Sequence, residues 1–578
     1  MIRVLENEFY YLDNFQRVLD WIGARYGDLL DDGEHAFLAA FPTLPLPARA
    51  LFVRMVMRKG ELFRASKMRY PEIGCPVEAA GALLGTGWIE ADPALTLDEL
   101  FDLLSKPEIA EAFGARLPRK SARKDEQLAA LRLAFEAEES TSRAFSGWYR
   151  DCPDVAWRIL VKPLCDRLRL LFFGNLRQDW TEFVLSDLGL FRYEQVEISL
   201  ASRGFRRRAD VEHYLQLHAC RERFAAGEVD DEEVGRIVAD LPRHAFDNDW
   251  LESRREKLLF QIGQHYEKRK DWDHAHAVYA RCRFPGARGR AIRVLEKHER
   301  YEQAHALLLL AQAAPENEAE RQHLARIGPR LARRLGHQRL PARARRAIDR
   351  IDLCLPVPPE GRWVEGAVRD HLALEAAPVF YVENALANTL FGLLCWRAVF
   401  AAIPGAFFHP FHRGPADLYS ADFHQRRSSE FAACLAELES GSYRDTIRRN
   451  RAEKAGLQSP FVHWEAIDDG ILELALACIP AAHLRRWCER ILADVKENRT
   501  GFPDLIQFWP AEGRYRMIEV KGPGDRLQDN QLRWIDYCAA HDMPVSVCYL
   551  QWEGTPFEPA GALADEPVPA DALLSTAK

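Results

Sequence analysis

The residues best suited to chemistry lie late in the chain. Pro503-Asp504 is followed, after fourteen residues, by Glu519-Val520-Lys521. Asp504 adjoins the apolar run Leu505-Ile506-Gln507-Phe508-Trp509, which reads as a strand. Gly513 marks a turn, and Tyr515-Arg516-Met517-Ile518-Glu519-Val520 reads as the returning strand. Side chains alternate along a strand, so Glu519 and Lys521 share a face, and a hairpin-like return brings that face beside Asp504. Two carboxylates and an ammonium meeting at one point suit a hard, oxygen-liganded cation such as Mg2+ or Mn2+. Such an ion neutralises a scissile phosphate and activates water. The expected chemistry is therefore metal-dependent phosphodiester hydrolysis, with the backbone carbonyl of Val520 as a further candidate ligand. Lys521 either orients or helps deprotonate the attacking water, or stabilises the developing charge, and the sequence leaves these roles open. The competing reading is a surface hairpin, since Glu-x-Lys alone is common.

Other elements must hold these residues in place. A helix is expected from Asp525 or just beyond it through Trp534 to His541, and Pro544 to Leu550 closes the sheet. Arg526, Gln531 and Arg533 fall on that helix, where they contact phosphates flanking a cut or brace the site. Lys496 and Arg499, just before Asp504, are placed to meet a terminal phosphate. The proline cluster Leu355-Pro356-Val357-Pro358-Pro359-Glu360 marks a boundary, so this α/β domain is expected over residues 361–553. A mostly helical insertion of about a hundred residues precedes Asp504 and includes Ser428 to Ser440 and Ile471 to Cys478. His409, His412 and His424 cluster within it, but no cysteine stands at zinc-ligand spacing. From Gly554 to Lys578 the Ala, Pro and acidic composition predicts a disordered tail.

A repeat occupies the middle of the chain. Tyr266-Glu267-Lys268, Trp272 and Ala275-His276-Ala277 recur as Leu295-Glu296-Lys297, Tyr301 and Ala304-His305-Ala306, at a constant offset of 29 residues. Small residues at Ala275 and Ala304 permit close helix contact, the logic of paired-helix solenoids. A tetratricopeptide-like array is expected within a helical region spanning residues 141–355. Its use is as a rigid arm or, alternatively, as a surface for a protein partner, and His276 and His305 read as packing residues.

The strings around the acids resemble a known family. Gly501-Phe502-Pro503-Asp504-Leu505-Ile506, then Ile518-Glu519-Val520-Lys521-Gly522-Pro523, Asp525-Arg526-Leu527 and Gln531, resemble the virus-type replication-repair nuclease (VRR-NUC) domain of the PD-(D/E)xK superfamily. Within that superfamily the Glu-Val-Lys-Gly-Pro-x-Asp-Arg-Leu string looks like the Fanconi-associated nucleases. Upstream, Tyr381-Val382-Glu383-Asn384 with Thr389 to Trp396 resembles that family's helix carrying a fourth metal-binding acid. The acid falls on Glu383, with Glu365 and Glu375 as rivals. The resemblance implies endonuclease action at 5′ flaps, 5′ to 3′ exonuclease action and a role in interstrand crosslink repair. Branched DNA (flaps, forks, crosslinked duplex) would be the partner. A Holliday-junction resolvase and a catalytically silent scaffold are the alternatives. Eukaryotic relatives carry a ubiquitin-binding zinc finger for which this chain shows no residues, as in a compact bacterial version.

Composition sets outer limits. At 578 residues the chain exceeds one core, and 48% hydrophobic with 28% charged residues describes a soluble multidomain protein. No apolar run suits a membrane span or a secretory signal. The 12 scattered cysteines indicate neither a disulfide framework nor a zinc knuckle, and reduced thiols in the cytoplasm, near the nucleoid, are expected. A net charge of −8 argues mildly against a DNA-coating protein, but phosphate affinity is set locally. Three basic clusters are candidate DNA contacts: Arg54, Arg58, Lys59, Arg64, Lys67 and Arg69; Arg116, Arg119, Lys120, Arg123 and Lys124; and Arg203, Arg206, Arg207 and Arg208 around Phe205. Residues 1–92 read as a helical DNA-binding domain whose amphipathic helices end near Tyr70-Pro71, with a wing-like hairpin opening at Gly85-Thr86-Gly87-Trp88-Ile89. Residues 93–140 resemble the family's SAP-type module, with Thr96 placed to cap a helix. The expected protein is thus multidomain and mostly α, ending in a restriction-endonuclease-like α/β domain.

Overall fold

The computed structural model describes residues 7–117, 119, 122–135, 142–178, 191–227, 229–242, 245–337, 348–357, 361 and 363–554. Lys120, Pro358 to Glu360 and the tail beyond Gly554 lie outside them. The chain forms two compact units.

The first unit holds residues up to 192 together with 197–213 and 407–411. Its opening helix, Tyr10–Tyr26, buries Tyr11, Phe15, Val18, Leu19, Ile22 and Tyr26 at the spacing of one helical face. Phe37, Phe41 and Phe52 close on Trp88, whose ring lies 4.4 Å from that of Phe37. Five short strands follow: β1 (Leu62–Arg64), β2 (Ile89–Ala91), β3 (Ala94–Thr96), β4 (Ser142–Ala144) and β5 (Ala156–Ile159). The helix expected to run towards Tyr70 stops at Val56, because the chain turns through Gly60 at φ +87° into β1. Nor does β2 open a local hairpin. It pairs with β5, which also pairs with β1, so the sheet runs β1-β5-β2. Buried Ala156, Trp157 and Ile159 give β5 the apolar surface that a local partner would lack. Thr96 caps the helix Leu97–Leu103 in a reciprocal capping box with Glu99.

The second unit holds 193–196, 214–406 and 412–578. Its array consists of helices Asp249–Lys268, Trp272–Ala280, Ala287–Lys297, Tyr301–Ala313 and Glu318–Arg334. The 29-residue offset reappears in the backbone. Asp271 N–H donates to Tyr266 and Arg300 N–H to Leu295, each at 2.9 Å, with Lys270 and Glu299 left-handed at φ +63° and +59°. Ala275 and Ala304 are fully buried, as close helix contact requires. The last array helix meets the helix Asp529–Ala540, where Arg533 donates to Gln322 at 3.0 Å.

The C-terminal sheet has five strands, β6 (Asp349–Leu355), β7 (Val379–Tyr381), β8 (Leu505–Trp509), β9 (Arg514–Lys521) and β10 (Val545–Trp552), ordered β6-β10-β9-β8-β7. β10 runs parallel to β6 and β9; β8 is antiparallel to β9 and β7. β6 corrects the expected boundary, since residues assigned to the helical region supply an edge strand. Its alternation of Ile351, Leu353 and Leu355 with polar residues is an edge-strand pattern. Val368 of helix Val364–Leu372 covers Leu505, Ile518, Val520 and Leu550 on one face, and each such buried side chain contributes about 1.5–3 kcal/mol. The expected helical insertion is present, with Ser428–Ser440, Tyr443–Glu453, Asp469–Cys478 and Ala481–Ala493.

Candidate active site

The pairing of Leu505 with Ile518 sets Asp504 opposite Glu519. Asp504 is held at both ends: its side chain accepts from the Val520 amide at 2.9 Å, and its carbonyl accepts from the Val382 amide at 2.9 Å. That second bond extends the β7–β8 ladder and delivers Glu383 to the same end of the sheet. Glu383 sits on the turn before the helix Ala385–Leu394, not on the helix as expected. All ten residues of that helix are buried, so only the preceding turn leaves a carboxylate exposed. Tyr381 Oη donates to Glu383 Oε2 at 2.6 Å, and Asn384 Nδ2 donates to Oε1 at 3.2 Å. Asn384, left-handed at φ +53°, also accepts from the Gly501 and Phe502 amides at 2.8 and 3.2 Å, tying this turn to the Pro503-Asp504 loop. Gly501 is required there, because at φ +92° a Cβ would stand 2.8 Å from the Asn530 backbone.

The electrostatics of the cluster suit a cation. Glu519 is fully buried and Asp504 is 6% exposed. Burial, opposed by the Val520 amide and Lys521 and aided by Glu383 and Glu365, pushes the Asp504 carboxyl up to about 6. Burial, together with the charge of Asp504, pushes Glu519 up to about 8 despite Lys521. The Lys521 ammonium lies 2.8 Å from Glu519 Oε1 as an ion pair, at an angle that leaves both Glu519 oxygens without an aligned hydrogen bond. Buried oxygens in that state disfavour their charged form until a cation meets them. The donor set therefore fits a hard divalent ion. Glu365, on the helix Val364–Leu372, acts on Asp504 through charge; Glu375 sits exposed on a turn between Leu374 and Ala377.

The basic candidates divide. Arg64 is 4% exposed and bridges Glu108 and Asp154 at 2.6 and 2.8 Å, so it braces the fold instead of facing DNA. Arg54 pairs with Glu72 at 2.6 Å and stacks on Tyr11 at 3.7 Å, and Arg203 grips Asp28 with two bonds. Arg208 is likewise tied to Glu34. Arg58, Lys59, Lys67, Arg69, Arg119, Arg123, Arg206 and Arg207 are exposed, with Arg207 3.6 Å from Asp210. Exposed Arg116 lies over Phe135 at 5.0 Å, and half-buried Lys124 begins the helix Lys124–Phe135. Lys496 is exposed beside Glu497, while Arg499 donates to Tyr419 Oη and the Pro460 carbonyl at 2.5 and 2.9 Å. Arg526 is exposed in the loop before the helix Asp529–Ala540 instead of on it, whereas Gln531 lies on the helix as expected and joins Gln528 in its capping box. His409 Nε2 faces Gln178 at 3.4 Å and His412 Nδ1 faces the Gly414 carbonyl at 3.3 Å. Tyr381 and Asn384 join the candidate site through their bonds to Glu383, although sequence reasoning left both without a role.

Residues 9–90 match the family model described as FAN1, HTH domain, residues 94–148 the Fanconi anemia-associated nuclease SAP domain and residues 438–552 the VRR-NUC domain. The Fanconi-associated nuclease 1 homolog of Pseudomonas aeruginosa is 56% identical over 551 residues, 95% of this chain and 97% of its own. The chain belongs to the Fanconi-associated nuclease family. The family's Oryza sativa homolog is 25% identical over 613 residues, covering 93% of this chain and 62% of its own. The structure of paFAN1 bound to 2nt 5′flap DNA with gap superposes with a TM-score of 0.88 over 96% of this chain and all of that one; the 1nt 5′flap complex gives 0.86. Family membership makes the chain a DNA nuclease dependent on a divalent metal. The VRR-NUC match takes in β8, β9 and β10 but not Glu383. Among the described residues, no helix is long and apolar enough to cross a membrane.

Proposed function

We propose that the chain is a Mg2+- or Mn2+-dependent nuclease that cuts 5′ flaps, degrades DNA 5′ to 3′ and serves interstrand crosslink repair. The observation carrying this reading is the convergence of Asp504, Glu519 and Lys521, with Glu383 brought alongside by the β7–β8 ladder. The 5′-flap DNA in the two solved complexes of one relative supports the substrate class.

Asp504, Glu519, Glu383 and the Val520 carbonyl would hold the ion, which when bound supplies charge neutralisation at the phosphate and a more acidic water. The Val520 amide fixes the Asp504 rotamer, so that ligand needs little reorganisation. Lys521, 9% exposed on its side chain, keeps its ammonium beside Glu519 and is free of bulk water's screening. It holds a phosphate oxygen or the attacking water in that position. Exposed Arg58, Lys59, Lys67, Arg69, Arg119, Arg123, Arg206 and Arg207 are proposed phosphate contacts, with Lys496 and Arg526 beside the nuclease core. The domain bounds are proposed as read from the sequence, with the nuclease extended back to β6.

The test uses a labelled 5′-flap duplex with Mn2+, beside Asp504→Ala and an EDTA control. Cleavage lost in both controls establishes chemistry and site together. A variant that cuts as well as the parent moves the active site elsewhere.

A further inference from the structure

Two large aromatic side chains stand exposed at the edge of the acid cluster. Trp363 is 51% exposed and Tyr381 40% exposed, and their rings meet edge to face, 5.9 Å apart at 76°. Scattered surface aromatics need no explanation, but an adjacent pair at the rim of a polar site does. Both are tied to the neighbourhood of the acids. Tyr381 ends β7 and its hydroxyl holds Glu383 at 2.6 Å. Trp363 precedes the helix Val364–Leu372, whose Val364 packs so closely on Gly522, next to Lys521, that a Cβ there would stand 3.1 Å away.

The indole is also held in one orientation. A Cβ on Gly366 would come within 2.2 Å of its six-membered ring, so the helix backbone supports one face, and the Arg369 guanidinium lies 5.0 Å from its centroid. A ring fixed in advance binds with less ordering cost than a mobile one. Every nucleobase has a π-face, so an exposed, rigid aromatic wall beside a phosphate-cutting centre takes bases without regard to sequence.

Resting on the nuclease reading, we propose that Trp363 and Tyr381 form a stacking platform for a nucleobase splayed out next to the scissile phosphate. Splaying that base straightens the backbone at the cut and presents its phosphate to Asp504, Glu519 and Lys521. The platform favours DNA that surrenders a base cheaply, at a flap junction or an end, over intact duplex.

The experiment places 2-aminopurine at each position around the junction of a 5′ flap and reads its fluorescence with the full-length protein in EDTA, where no cleavage intrudes. Quenching at one position, retained by Trp363→Phe and lost with Trp363→Leu, is expected. In Mn2+, Trp363→Leu lowers kcat/KM about ten-fold on the normal flap. An abasic site at the quenched position costs the parent the same factor and costs Trp363→Leu nothing more. Quenching at no position overturns the platform, as does a Leu defect that stays undiminished on the abasic flap. Quenching by a parent that never cuts sustains the platform and instead overturns the nuclease reading.

Discussion

The Val520 amide donates to the Asp504 carboxylate across 2.9 Å, from the backbone of β9 to the side chain that precedes β8. One bond thus fixes both the rotamer of the carboxylate and the register of the hairpin that opposes it to Glu519. An asparagine keeps an oxygen for that amide while removing the charge. Asp504→Asn is therefore expected to lower single-turnover cleavage by about a thousand-fold or more. It also removes a like charge beside buried Glu519, so the metal-free nuclease is expected to melt about 2–4 °C higher. Calorimetry and quench-flow on the same preparation check the pair. A fall in both would mean that Asp504 is structural.

Tyr381 acts through Glu383. Removing its hydroxyl in Tyr381→Phe leaves the ring and frees the Glu383 carboxylate to rotate. The metal concentration giving half-maximal rate is expected to rise about ten-fold, with cleavage at saturating metal close to that of the parent. A Mn2+ titration of initial rates after EDTA stripping reads both. An unchanged midpoint would take Glu383 out of the ligand set.

Arg64 and Arg69 separate bracing from DNA contact. Arg64→Ala strands Glu108 and Asp154 and is expected to cost about 3–5 kcal/mol of stability. Its effect on the salt dependence of DNA binding is expected to be nil. Arg69→Ala, exposed, is expected to leave stability alone and to reduce the log–log salt slope by about one. Fluorescence anisotropy at several salt concentrations, with parallel melts, tests both.

Glu108, which Arg64 grips, sets an acid transition. Partial burial pushes the Glu108 carboxyl up, but the Ser105 hydroxyl and amide and the Arg64 guanidinium outweigh it and hold it at about 2, against 4.5 ordinarily. Asp154 is lowered too, burial again being overcome by Ser66 and Arg64. A depressed carboxyl stabilises the fold above its unfolded value, so this stability is present above pH 4.5 and is lost as pH falls towards about 2. Glu108→Gln is expected to lose about 1–2 kcal/mol at pH 7 and to match the parent near pH 2. Circular dichroism of urea unfolding across that range would expose an equal loss at both ends, which would refute the linkage.

The acids were legible in the sequence because their chemistry is local: a hairpin of fourteen intervening residues brings Asp504 and Glu519 together by strand alternation alone. The repeat was legible because identical spacing writes identical backbone turns at Lys270 and Glu299. Arg64 misled for the opposite reason. Its partners lie 44 and 90 residues away, and nothing in a basic run tells a buried bridge from a free cation. β6 escaped because its neighbour is β10, far along the chain, and an edge strand needs only a weak apolar stripe. Glu383 was placed on a helix because resemblance carries residue identity but not the position of a helix start.

β10 lies in the interior of its sheet, parallel to both neighbours, and comes last in chain order among the described strands. At about 5–20 residues added per second, every acid of the cutting centre is joined to the chain before β10, the parallel neighbour of β9, is complete. A chain broken before Val545 therefore carries every candidate ligand, while the β9 strand bearing Glu519 and Val520 lacks its parallel neighbour.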